Sequence, residues 1–170
     1  MKKWYLLMLL VLMALLVGCN SKNENPDSQS MTGYVMDKEG ERILIVDDDT
    51  QDFSSIGGVK EFYNAIWFSE APSEIKEGDF VEVWFDMVAE SFPGQSQAIK
   101  VEVVKQEKPK GADLTKSEAL HKLLTSDEIK KDLYGVSSIK YNEKEDTWNI
   151  ALKNLLDDTS KPVSFTVVDN

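Results

Sequence analysis

The 170-residue chain predicts a mainly β protein with a smaller α+β unit at its C-terminal end. Two observations carry that prediction. Between residues 31 and 106 the apolar side chains recur at every second position, in short runs separated by Gly, Pro, Asp and Asn, which is the pattern of strands and turns. Beyond residue 112 leucines at helical spacing come first, and the period of two returns only after them.

Ahead of both units lies a targeting segment. Lys2 and Lys3, an apolar run over 6–17 and the string Leu16-Val17-Gly18-Cys19 make a signal peptide over 1–18 that ends in a lipobox. The run is short for a membrane span. Cys19 is the single cysteine, so it has no intrachain disulfide partner, and it stands where bacterial lipoproteins carry a thioether-linked diacylglycerol. It is the expected lipidation site. Acyl chains contribute roughly 0.8 kcal/mol per buried CH₂, so diacylglycerol, with palmitate as a typical further chain, holds where one chain is marginal. The expected location is the extracytoplasmic face of the cell membrane. Loss of residues 1–18 removes two lysines and no acid, so the net charge of −11 becomes −13, with 17 basic residues against 30 acidic ones. Such a surface repels phosphate backbones, and nucleic acid is not an expected partner.

Residues 19–30 form the expected tether, because 20–30 offer no apolar side chain to bury. In the 31–106 unit, strands over 33–36 and 41–46 flank a turn at 37–40, and a third strand covers 63–68. Glu77-Gly78-Asp79 turns the chain into a fourth strand over 80–86, where Val81, Val83 and Phe85 alternate with Glu82 and Trp84. In the fifth, over 97–104, Ile99, Val101 and Val103 alternate with Lys100 and Glu102. One face of each strand is therefore expected in a core and the other in solvent. Five strands without a long helix between them need closure or covering to hide their edges. A small five-stranded barrel of the oligonucleotide/oligosaccharide-binding (OB) type supplies closure, with the loop 69–76 in place of the usual helix; a simple antiparallel sandwich also satisfies the pattern.

Charge, Pro and Gly interrupt the apolar pattern at 106–111, which separates a second unit over 112–170. Thr115-Lys116-Ser117-Glu118 is a capping box, and Leu120, Leu123 and Leu124 form an apolar stripe behind it. Thr125-Ser126-Asp127-Glu128 repeats the box, Ile129 and Leu133 continue a stripe, and Gly135 reads as a C-cap. A helical hairpin laid on a three-stranded sheet, over 136–141, 147–152 and 163–168, is the economical arrangement.

Three strings in the first unit then carry a resemblance. Tyr63-Asn64-Ala65-Ile66-Trp67-Phe68, Gly78-Asp79-Phe80-Val81-Glu82-Val83-Trp84 and Glu90-Ser91-Phe92-Pro93-Gly94-Gln95 resemble the YobA-like family over about residues 31–105. That is a domain of unknown function in small lipoproteins of Bacillus-type Gram-positive bacteria. The resemblance implies a surface lipoprotein with a small β fold, and it brings no catalytic residue.

Two constellations could carry chemistry. Asp47-Asp48-Asp49-Thr50-Gln51-Asp52 places four carboxylates within six residues, and a hard cation such as Ca²⁺ takes several oxygens at close range. Asp47, Asp49 and Asp52 are the candidate ligands of a weak calcium site, although the EF-hand glycine and distal glutamate are missing; a solvated loop explains the same residues. Trp84 lies on the expected wet face and Trp67 shares a face with Tyr63, so these rings, with Glu90 and Gln95 of the loop 87–96, are candidates for stacking on a small polar ligand or wall glycan. The same rings would equally serve to cover one end of the core or to dock the second unit. No enzyme is expected. The lone thiol is spoken for, no serine sits in a Gly-x-Ser-x-Gly elbow, and His121, the single histidine, reads as a helix-surface residue. A binding or accessory module at the cell envelope remains, with an envelope protein or wall glycan as its partner and no cofactor beyond weak Ca²⁺.

Overall fold

The computed structural model describes residues 28–170, so the signal peptide over 1–18, Cys19 and the tether up to residue 27 lie outside the described residues. The protein is mainly β, with one α-helix among the described residues and two sheets of six and three strands. In chain order the elements are β1 (Gln29–Glu39), β2 (Arg42–Asp47), a 3₁₀ turn (Ser54–Ile56), β3 (Ala65–Ser69), β4 (Phe80–Phe85), β5 (Gly94–Gln97) and β6 (Lys100–Val103). They are followed by α1 (Lys116–Leu124), β7 (Tyr134–Asn142), β8 (Thr147–Asn154) and β9 (Val163–Val168). The larger sheet has the order β5-β3-β2-β1-β4-β6, antiparallel except for the parallel β3–β5 pair, and the smaller one is the meander β7-β8-β9. Among the described residues no helix is long and apolar enough to cross a membrane.

The larger sheet is buried on both faces over β1 to β3, and the sequence there lacks alternation for that reason. Ile43 and Ile45 enter an inner core with Val35, Phe68, Val81 and Val83, whereas Leu44 and Val46 point the other way, to an outer core with Tyr34 and Met36. A strand covered on both sides reads as a continuous apolar run. The register shift between Val35 and Asp37 is a bulge, and beside it Val35 and Met36 are buried in the inner and outer cores respectively. Only β4 shows the clean period of two, with Val81, Val83 and Phe85 buried. The expected core face of the fifth strand is corrected: β6 is outermost and short, so Val101 packs while Ile99 and Val103 are 53% and 55% exposed.

The outer face is covered by the second unit. Ala119, Leu120 and Leu123 of α1 and Trp148, Ile150 and Leu152 of β8 close one core with Tyr34, Leu44, Val46, Tyr63 and Ala65. Trp148 is the largest fully buried side chain, and its indole N–H donates to Asp169 Oδ1 at 2.8 Å. That carboxylate also accepts from the N–H groups of Asp113 (2.6 Å) and Leu114 (2.9 Å), tying the entry to α1 to the end of β9.

The predicted capping box is present: Thr115 Oγ1 accepts from Glu118 N, and Glu118 Oε2 from Thr115 N. The second helix is absent, and the expected hairpin is corrected to one helix. Thr125 and Ser126 turn their hydroxyls back onto the carbonyls of His121 and Leu123, so they end α1 instead of starting another helix. Ile129 and Leu133 still reach the outer core from irregular backbone. Gly135 is a strand residue facing Tyr63, where a Cβ would lie 2.9 Å from the ring.

Candidate functional site

The loops that leave the larger sheet between β2 and β3 and between β4 and β5 meet through aromatic rings. Phe53 precedes the 3₁₀ turn, and Gln51 and Phe62 form an isolated bridge that closes this loop at its base. The rings of Phe53 and Phe62 stand edge to face at 5.4 Å, and Phe62 meets Phe92 of the other loop at 5.8 Å. The second loop is held by an Ala89–Gln95 bridge, by Ser96 Oγ donating to Met87 O at 2.6 Å and by Ser91 Oγ donating to Pro93 O at 2.7 Å. Its Phe92–Pro93 bond is cis. Gly94 is required by close approach, since a Cβ would come within 2.8 Å of Val88 Cγ1.

Between these loops and residues 153–158 of the second unit lies a cavity of about 200 Å³, lined by Val59, Phe62, Tyr63, Phe92 and Leu155 together with Glu61, Lys153 and Asp158. Lys153, 9% exposed, donates from Nζ to Glu61 Oε2 at 3.0 Å, so its charge is neutralised where it is buried. Burial pushes the Tyr63 phenol above its ordinary pKa. A pocket of this size, apolar on one wall and carrying a paired charge on the other, accommodates one side chain or a small polar group; it is below the range that encloses a drug-sized ligand.

The sequence-predicted residues are brought together only in part. Trp67 on β3 pairs directly with Gln95 on β5, and Glu90 is exposed on the adjoining loop. Trp67 packs against the outer core, and the Arg42 guanidinium covers its ring at 4.9 Å. Trp84 lies on β4, three strands away in the sheet order, and is covered by Lys100 Nζ at 4.4 Å, which is itself paired with Glu102 at 2.7 Å. The two tryptophans therefore do not form one stacking platform. Asp47, Asp49 and Asp52 are not assembled as a ligand set either: among the described residues no three His, Cys, Asp or Glu side chains gather to hold a metal ion. Asp52 caps its own turn by accepting from Ser54 N at 2.9 Å, and the Ser54 hydroxyl, then this backbone bond, hold its carboxyl below the usual range. Asp47 is half-buried, and burial, then the charges of Asp48 and Asp49, push it up to about 6. His121 docks α1 onto the turn before β4, its Nδ1 lying 2.6 Å from Glu77 O.

Sequence reasoning missed Phe53, Phe62, Glu61 and Lys153. The available signal was two phenylalanines in a segment without strand periodicity, which no local core could absorb.

The fold and these loops define a small β module joined to an α+β unit, with no cluster of metal-ligating side chains among the described residues. A family described as "Protein of unknown function (DUF3221)" matches residues 32–105. The chain is 31% identical over 113 residues to the uncharacterized protein YobA of Bacillus subtilis (strain 168), covering 58% of this chain and 94% of that protein. It belongs to this YobA-like family of unknown function. A crystal structure of a B. subtilis YobA protein aligns over 45% of this chain and 95% of its own at 25% identity, with a TM-score of 0.35. An NMR structure of B. subtilis YobA residues 21–120 aligns over 49% and 88% at 19% identity, with a TM-score of 0.36.

Proposed function

We propose that this protein is an extracytoplasmic lipoprotein, anchored through Cys19, that acts as a binding or accessory module at the cell envelope and not as an enzyme. The observation that carries the binding reading is the cavity between Phe62, Phe92 and the Glu61–Lys153 pair, formed where two loops of the larger sheet meet the second unit. Three convergent segments with aromatic walls and a polar pair are the makings of a recognition site. The lipobox at 16–19 carries the anchoring reading.

The larger sheet is proposed to be an OB-like barrel. Its two outermost strands, β5 and β6, are consecutive in the chain, separated only by Ala98 and Ile99. Ala98 N donates to Ser69 O of β3, and Ile99 N to Trp84 O of β4, so this stretch bridges the two ends of the strand order. In such barrels the loops after strands one and four border the binding region, and the 86–93 loop is the one after strand four.

Two measurements test the proposal. Replacement of Cys19 by Ser is expected to move the full chain out of the salt-washed membrane fraction; undiminished retention contradicts the anchor. Amide NMR with added muropeptides and then calcium locates binding: shifts at 59–63, 92 and 153–158 support the cavity, whereas shifts confined to 47–52 select a calcium site instead.

A further inference from the structure

We infer that the end of the larger sheet bearing the 53–56 and 86–93 segments lies against the lipid bilayer, with Ile56, Met87, Val88 and Phe92 entering its interfacial layer. The inference rests on the lipid-anchor reading and specifies which face of the protein meets the membrane. Ile56 is 80% exposed and Met87 83%, while Val88 and Phe92 are 37% and 44% exposed. All four belong to the two loops joined by the Phe53–Phe62–Phe92 contacts. Apolar side chains at adjoining loop tips gain nothing in water, and an interface with an apolar partner is where they are satisfied.

The chain itself identifies the partner as lipid. β1 starts at Gln29, which pairs with Phe85 at the end of β4, and Gln29 Nε2 donates to Asp86 O at 3.4 Å. The segment from the anchor therefore enters the fold beside Met87. The nine residues after Cys19, up to Ser28, reach at most about 30 Å at full extension. The opposite end of β1, at the 40–41 turn, is a further 35 Å or so away, since the strand has 11 residues at about 3.3 Å each. The anchor thus keeps the apolar loop tips within about 30 Å of the bilayer, nearer to it along the chain than the β1–β2 turn. Ile99, whose N–H donates to Trp84 O beside the same entry point, extends the apolar surface. The carboxylates of Asp86 and Glu90 flank the apolar tips, so entry is shallow and is favoured on zwitterionic over anionic lipid.

Hydrogen exchange read by mass spectrometry tests this on the lipidated mature chain in phosphatidylcholine vesicles, with the lipid-free Cys19→Ser mature chain in solution as reference. The expected result is that amides of 54–57 and 86–92 exchange roughly fivefold or more slowly on vesicles, with 163–168 unchanged. A Met87→Ser variant, changed at a side chain that nothing covers, is expected to lose most of that slowing while it stays on the vesicles. Retention on vesicles with equal exchange at both loops overturns the inference and leaves the anchor standing. Loss of the wild-type chain from vesicles in high salt overturns the anchor and the inference with it.

Discussion

Asp169 is 2% exposed, and each of its oxygens is engaged, by Asp113 N on one side and by Leu114 N and the Trp148 indole on the other. Burial alone would raise its pKa; the hydrogen bonds from Asp113, Trp148 and Leu114 and the charge of Lys108 outweigh it, and the carboxyl is held below its ordinary value. Asp169→Ala leaves a buried indole N–H and two backbone donors unpaired, and should cost about 3 kcal/mol in urea unfolding. Asp47 works in the opposite direction. Its folded pKa of about 6 exceeds the unfolded value near 3.9, so the folded state binds the extra proton and stability rises as pH falls from 7 towards 4. The Asp169 contribution is complete above the unfolded value and is lost as pH falls through its lower folded pKa. Together they predict greatest stability at mildly acidic pH. Burial also raises the Asp48 carboxyl, so in an Asp47→Asn variant the gain between pH 7 and 4 should shrink in thermal melts without vanishing, while the acid limb stays.

At the level of elements, α1 depends on its first turn. Thr115→Ala removes the hydroxyl that accepts from Glu118 N and should cost about 1 kcal/mol, measurable as a fall in the denaturation midpoint. Strand β5 depends on Gly94, and Gly94→Val should disrupt the β4–β5 loop because Val88 already fills the space. In an NMR comparison, changed shifts at 87–96 with an unchanged α1 are the expected signature. How far these elements are legible in sequence follows from their environment. The period of two identified β4 because one face meets the inner core and the other carries Glu82 and Trp84. The same reasoning set a wet face on β2, where the unbroken run Ile43-Leu44-Ile45-Val46 already signals burial on both sides. Thr125 and Ser126 carry the same residue types whether they start a helix or end one, and only the carbonyls behind them decide it. The cavity was illegible because Phe62, Phe92 and Lys153 are brought together by tertiary packing, with no spacing that announces it.

For the molecule as a whole, the outer core is shared between the two sheets, so neither sheet buries its apolar face without the other. Unfolding in urea should follow one transition, with the same midpoint by tryptophan fluorescence and by far-UV circular dichroism; two separated midpoints would show that the units unfold independently. Trp148→Ala, at the centre of that core, should cost about 3–5 kcal/mol and lower the midpoint for both probes together. The position of Asp169 also bears on when the fold can form. A nascent chain presents its residues in order, and β1 to β6 have all emerged by residue 103. Yet Tyr34, Leu44, Val46 and Tyr63 wait for partners as late as Trp148 and Val167, and the bonds that fasten 113–114 wait for residue 169. The inner core, drawn from residues 31–101, can close before then, but the outer face of the larger sheet stays bare until β8 and β9 arrive, so the outer core closes in one late step.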